Sequence, residues 1–132
     1  MLNKNFGFTL IDLVIAMVIV AILAMFAIPA YNQYIQQSRR GDAYATLEMI
    51  ALAQEQWRST HTTYGTLANV WPQGGSKGGF YTITIGMLSA TTYLVTATAT
   101  STQSNDYACK TIQLDQNGPV VTSNAQKACW NK

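Results

Sequence analysis

Charge is scarce in this chain of 132 residues: Asp, Glu, Lys and Arg together make up 11 %, less than half the usual quarter. That excludes a disordered acidic or basic chain and argues against a highly soluble cytosolic enzyme. The net charge of +2 is too small to point to nucleic acid or anionic lipid by itself. Histidine occurs once, as His61, and cysteine twice, as Cys109 and Cys129. Neither a four-cysteine nor a two-cysteine, two-histidine zinc site can be built from these, so no metal or cofactor is expected. No catalytic constellation can be assembled either, and an enzyme is not expected. The length allows one ordinary domain and excludes two.

What is present is unevenly placed. Residues 8–28 read FTLIDLVIAMVIVAILAMFAI, 21 residues with one charge, Asp12. As a helix this run is about 31 Å long, enough to cross the apolar core of a bilayer. The residues leave two readings open. One is a cleaved secretory signal, with a small-residue site at Ala24-Met25-Phe26-Ala27. The other is a membrane span. The apolar length and the buried cost of Asp12 weigh against the first. Charges flanking the run nearly tie, with Lys4 and the α-amine before it and Arg39, Arg40 and Asp42 after it. The large segment that follows is the better guide to orientation, because long domains translocate largely regardless of charge. Its cysteine pair suits an oxidising compartment.

Beyond Pro29 the helical pattern resumes, with Ala43, Leu47, Ile50, Ala51 and Trp57 at helical spacing. The pattern predicts one helix over about residues 8–59, too long for a domain of this size to bury. Residues 60–79 read as a glycine-rich loop with Trp71 as its anchor, and His61 as a surface residue near the helix C-terminus. Ten of the sixteen threonines lie beyond residue 66, where residues 80–86, 92–100 and 108–114 alternate as strands. Val120-Val121 begin a short fourth, after a turn over residues 115–118. The expected fold class is α+β: a long N-terminal helix, its first half protruding, packed on a roughly four-stranded antiparallel sheet.

The first 31 residues carry a specific pattern: Gly7, then Phe8-Thr9-Leu10-Ile11, Asp12, and an apolar run ending Ala27-Ile28-Pro29-Ala30-Tyr31. It resembles the prepilin signature of type IV pilins. Arg39-Arg40 through Trp57, Tyr93 through Thr98, and Gln103, Asp106, Cys109, Leu114-Asp115, Gly118 and Cys129-Trp130 resemble the PilE-like branch of minor pilins. Pilins that act as DNA-uptake receptors are similar to that branch.

The resemblance implies three parts: a leader over 1–7, a membrane and filament-core helix over 8–28, and a periplasmic or extracellular globular domain over 29–132. It implies cleavage after Gly7 by a prepilin peptidase, N-methylation of Phe8, and an ion pair between Asp12 and a neighbour's Phe8 amine. Pro29 belongs with the assembly residues. Two departures stand out: Asp12 replaces the family's usual glutamate, and Ala21 stands where mid-span glycine is frequent. A Cys109–Cys129 disulfide would close the C-terminal segment and stabilise it by about 3 kcal/mol. The implied task is that of a minor pilus subunit in assembly, motility, adhesion or DNA uptake. Its partners would be other pilin subunits, with the inner membrane as its first location and the extracellular pilus as its second. Two alternatives remain: a major pilin, or a DNA receptor in which Lys110, Lys127, Lys132, Tyr107 and Trp130 would combine charge with stacking.

Overall fold

The computed structural model describes residues 7–100 and 103–130. The first six residues of the expected leader and Lys132 lie outside the described residues. The chain divides into two compact units, Met1–Ile35 and Gln36–Lys132. Helix α1 (Leu10–Arg58) has its ends in different units.

In the first unit, α1 starts at Leu10 because Thr9 and Asp12 satisfy each other's backbone. Pro29 lies inside α1 without ending it, although it gives no N–H to the helix ladder. The apolar side chains here have nothing of their own chain to cover them: Phe8 is 95 % exposed, Leu23 63 % and Phe26 72 %.

In the second unit, α1 buries one stripe: Ala43, Tyr44, Thr46, Leu47, Ile50 and Gln54. Ala51 joins only its margin, and Trp57 is half-buried. The stripe packs on a sheet of four strands, β1 (Tyr81–Gly86), β2 (Leu94–Ala99), β3 (Thr111–Asp115) and β4 (Gly118–Pro119). They pair antiparallel in the order β1-β2-β3-β4. Alternation sends Tyr81, Ile83, Val95, Ala97, Ile112 and Leu114 into the core. The opposite face is largely threonine, with Thr82 opposite Thr98 and Thr84 opposite Thr96. The long helix, the antiparallel sheet and its order follow the α+β expectation.

Three details differ from that expectation. The third strand begins at Thr111, because Tyr107–Cys109 form a 3₁₀ turn closed by the Cys109 N–H on the Asp106 carbonyl (3.1 Å). The short fourth strand is Gly118–Pro119, two residues earlier than Val120-Val121, and the Val120 N–H adds a further bond to the Gln113 carbonyl. The φ of +113° in that hairpin falls on Gly118, which has no Cβ to oppose it. The region 60–79 and the C-terminus each contain a short helix, α2 (Leu67–Val70) and α3 (Asn124–Trp130).

Two buried polar arrangements fix the loops to α1. The Gln54 amide donates to the Gly65 carbonyl and accepts from the Gly65 N–H, both at 2.8 Å. A Cβ on Gly65 would lie 2.8 Å from Val70 Cγ1, so this close approach needs glycine. Arg40 donates to both oxygens of Asp106, Nε at 2.7 Å and Nη2 at 2.8 Å. Asp106 is 3 % exposed, and it also accepts from Gln103 Nε2 at 3.0 Å. Gln103 Nε2 reaches the Gln36 carbonyl as well, at 3.0 Å. Arg40, counted from sequence among the charges that follow the apolar run, is the counter-ion of a buried carboxylate. Finally, Cys109 and Cys129 are joined by a disulfide, their Cα atoms 5.5 Å apart, which ties α3 to the 3₁₀ turn.

Two outcomes follow for a fragment beginning near Gln33, expected to be soluble because it omits the exposed apolar segment. Reducing the disulfide lowers its urea stability by about 3 kcal/mol, the chain-entropy value for a loop of this length. Two reactive thiols in the natively secreted, unreduced protein would contradict the bond.

The second outcome is alkaline. Burial pushes the Tyr81 phenol up to about 12, with the Gln103 amide beside it offsetting part of the rise. Burial, then the Glu55 carboxylate, does the same to Tyr93, also to about 12. Below pH 10 both residues are neutral in the folded and unfolded chain. Between about pH 10 and 12 the unfolded chain ionises while the folded one resists, so stability falls as pH rises. The Tyr81 hydroxyl makes no hydrogen bond of ordinary geometry. Tyr81→Phe is therefore expected to cost little at pH 7 and to make the alkaline fall shallower. Urea midpoints at pH 7, 10 and 12 test this, and parallel curves for both proteins would refute it.

Candidate functional site

Two regions hold the residues singled out from the sequence, one in each unit. In the first, Thr9 and Asp12 form a capping arrangement at the N-terminus of α1. Asp12 Oδ2 accepts from the Thr9 N–H (3.0 Å) and the Thr9 hydroxyl (2.7 Å), and the Asp12 N–H donates to Thr9 Oγ1 at 3.3 Å. Two of the helix's orphan N–H groups are satisfied reciprocally, and the negative charge lies at the positive end of the helix dipole. Sequence reasoning gave Asp12 an intermolecular partner and missed this local one. The signal was present: Thr9-Leu10-Ile11-Asp12 is a T-x-x-D box before an apolar run. Gly7 and Phe8 are exposed just ahead of the cap.

In the second unit, the disulfide draws together segments that are distant in sequence. Lys110 follows Cys109 directly and Lys127 precedes Cys129 by two residues; both lysines are exposed. Tyr107, one turn earlier, is 82 % exposed. Trp130 packs against Tyr44, ring centroids 5.1 Å apart and nearly parallel. Of the two aromatics considered for stacking, Tyr107 is the one that presents its ring to solvent. The 103–110 segment keeps its place through the Arg40–Asp106 pair, which reaches back to α1 within the same unit.

Elsewhere, Lys77 rides on a glycine-rich loop held to α1 by the Gly78 N–H on Asp42 Oδ1 (2.8 Å). His61 lies flat on Trp57, centroids 3.8 Å apart, with Nδ1 3.0 Å from the Trp57 carbonyl. That places it at the C-terminal end of α1, where orphan carbonyls need donors. Among the described residues, no three His, Cys, Asp or Glu side chains cluster to hold a metal ion.

A long apolar-started helix, an antiparallel sheet packed on its second part and a disulfide-closed C-terminal segment are the architecture of a type IV pilin. A solved type IV pilin from Shewanella oneidensis is similar to it, with a TM-score of 0.54 and 26 % identity, covering 74 % of this chain and 99 % of that one. Residues 2–28 match the prokaryotic N-terminal methylation motif. Residues 29–113 match the family described as type IV minor pilin ComP, DNA uptake sequence receptor, and the chain belongs to that family. The matched range includes Lys110 and ends before Lys127 and Trp130.

Curated relatives are similar over shorter stretches. The type IV major pilin protein PilA of Myxococcus xanthus is 34 % identical over 80 residues, 58 % of this chain and 36 % of that protein. The type IV major pilin protein PilE of Neisseria gonorrhoeae is 38 % identical over 73 residues, 55 % of this chain and 40 % of that protein. A type IV major fimbrial protein FimA of Dichelobacter nodosus is 58 % identical over 36 residues, 27 % of this chain and 22 % of that protein. The chain thus spans well under half the length of the curated relatives it matches.

Proposed function

We propose that this chain is a structural subunit of a type IV pilus, made as a prepilin and held in the inner membrane until assembly. In this reading, prepilin peptidase removes residues 1–7 by cutting between Gly7 and Phe8, and Phe8 is N-methylated. Residues 8–28 anchor the subunit in lipid and then pack among the helices of other pilin subunits. Residues 29–132 form the domain, periplasmic first and extracellular in the filament. The work is architectural, with no catalysis and no cofactor. The observation that carries the reading is the exposed apolar helix of the first unit, from Phe8 to Ile28, which needs lipid or other helices to cover it. A minor role is preferred on the family description. Abundance in sheared pili separates it from a major-pilin role, the alternative that the relatives' names support.

Asp12 gives this reading its sharpest test. A carboxylate opposite a neighbour's amine in apolar surroundings sets register, because a slipped subunit leaves both charges unpaired. Asp12→Ala is expected to enter the membrane at least as well as the parent and to be incorporated poorly into filaments. Since Thr9 uses the same carboxylate as a cap, Asp12→Asn separates the two roles: it keeps an acceptor and loses the charge. Asp12→Asn is expected to be incorporated as poorly as Asp12→Ala, and Asp12→Glu close to normally. The readout is the ratio of subunit in sheared filaments to subunit in membranes. Normal incorporation of Asp12→Asn would make the cap its main task. N-terminal sequencing of the mature chain checks the start at methylated Phe8; a start near Ala30 would establish an ordinary secretory signal.

The second reading, DNA binding, is favoured by the family description and by exposed Tyr107, Lys110 and Lys127 on disulfide-joined segments. Lys132 extends the set in sequence. Replacing Lys110, Lys127 and Lys132 by alanine is expected to lower the slope of log affinity against log salt by about three units, one per phosphate contact. Binding of the Gln33 fragment to duplex DNA over a salt series measures it. No salt-sensitive binding at low ionic strength would leave the architectural role alone.

A further inference from the structure

A groove of about 550 Å³ runs between the last turns of α1 and the short helix α2. Its volume falls in the range of small-molecule sites, which join apolar or aromatic walls to a few placed polar groups. Trp57, His61, Gln56, Asn69 and Val70 are among its lining residues.

Local bonds hold these walls in place. Gln54 grips Gly65 through both of its backbone groups, each at 2.8 Å. A Cβ on Gly65 would come within 3.1 Å of Trp57 Cγ, so the Trp57 ring is backed by main chain that is itself fixed. His61 lies flat on Trp57, the rings 8° from parallel, and it is exposed, so its outer face is open to solvent. Its Nδ1 is 3.0 Å from the Trp57 carbonyl. A carbonyl only accepts, so Nδ1 carries the proton and Nε2 is left as an acceptor. Asn69 Oδ1 is taken by the Thr66 N–H at 3.1 Å, which leaves Nδ2 as a donor. Gln56 is exposed and offers a donor and an acceptor on one planar amide.

These groups suit one kind of ligand. An open aromatic face beside a donor, an acceptor and a group that is both matches a ring with C–H bonds on one face and hydroxyls around its edge. A pyranose has that form: its axial C–H bonds meet an aromatic face, and each hydroxyl donates and accepts. Two other ligand classes fit less well. A nucleic acid brings bases that stack, but also phosphates, and the described lining residues include no lysine or arginine to meet them. An apolar peptide side chain would strip water from the two amides and return no hydrogen bond.

We propose that the groove binds an uncharged saccharide, with one sugar ring stacked on His61 and its hydroxyls held by Gln56, Asn69 Nδ2 and His61 Nε2. Trp57 is a positioning residue that sets the plane of the His61 ring. The site lies within the second unit and needs no other subunit. It goes beyond the architectural reading and rests on that reading only for its setting: on a filament it gives the domain a hold on neutral surface glycan.

Saturation-transfer NMR tests this on the full chain in phosphocholine micelles, because glycosidic detergents would compete. The probes are maltose, cellobiose and N,N′-diacetylchitobiose, with sialyllactose and a short oligothymidylate as charged competitors. At least one neutral disaccharide is expected to take up saturation, strongest on the C–H protons of one ring face, with a Kd of about 1 mM. His61→Ala is expected to weaken it about tenfold, the scale of one aromatic pair, and His61→Phe to recover most of that loss. Gln56→Ala weakens it several-fold, as loss of a hydrogen bond does. Both side chains are exposed, so neither replacement opens the core. Tyr107→Ala, outside the groove, leaves affinity unchanged. No saturation of any neutral probe, or undiminished affinity in both His61→Ala and Gln56→Ala, would overturn the site. Displacement of the sugar by oligothymidylate, or preference for sialyllactose over every neutral probe, would overturn the choice of ligand. The readout needs no filament, so either failure leaves the subunit reading standing.

Discussion

An apolar helix that its own chain does not cover is the constraint on which the rest depends. From Phe8 to Ile28 the side chains are apolar, exposed and almost without charge. In water such a surface drives association, and a run of this length is matched to a bilayer. The cost of leaving it solvated far exceeds the few kcal/mol by which a small domain is stable. The chain therefore needs two environments in succession or one shared with other helices, and the second unit must fold without help from the first. Its polar clamps serve that end: Gln54 on Gly65, Arg40 on Asp106 and the disulfide all lie within residues 36–132.

Asp12 is the one charge within the apolar run. In a single chain it is occupied by Thr9, which starts the helix at Leu10. A capped aspartate is less costly near the edge of a span than an uncapped one, because backbone N–H groups replace part of its hydration. Only one oxygen, Oδ2, takes the bonds from Thr9. A shorter acid than the family's glutamate suits the capping role, since it keeps the carboxylate close to its own backbone. The same shortening leaves less reach toward a neighbour's amine.

The periodic features of the fold were legible in the sequence and the reciprocal ones were not. Strict alternation at Tyr81, Ile83 and Ile85 marked β1, and helical spacing at Ala43, Leu47 and Ile50 marked the buried stripe of α1. Short helices have too few turns to show a period. Their signals are caps instead: Thr66 with Asn69 starts α2, and Ser123 with Gln126 starts α3. Thr66 with Asn69 makes the same box as Thr9 with Asp12, whereas the Gln126 side chain reaches back to Thr122. Arg40 and Gln103 were opaque for another reason. Their partners are 66 and 67 residues away, and nothing local shows that a charged residue faces inward. Trp130 was read as a free ring, because its stacking on Tyr44 is likewise a tertiary contact.

The C-terminal surface depends on the order in which its tethers form. Helix α3 has seven residues, too few to hold a helix in water unaided. Its buried anchor is Cys129, bonded to the turn that carries Tyr107, beside Lys110. On the other side, that turn is fixed by the Arg40–Asp106 pair, which needs the second part of α1 already folded against the sheet. The ion pair can form in any compartment, whereas the disulfide needs an oxidising one. The bond joins the segment that carries Lys110 to the one that carries Lys127, so the closed loop is complete only where oxidation is possible.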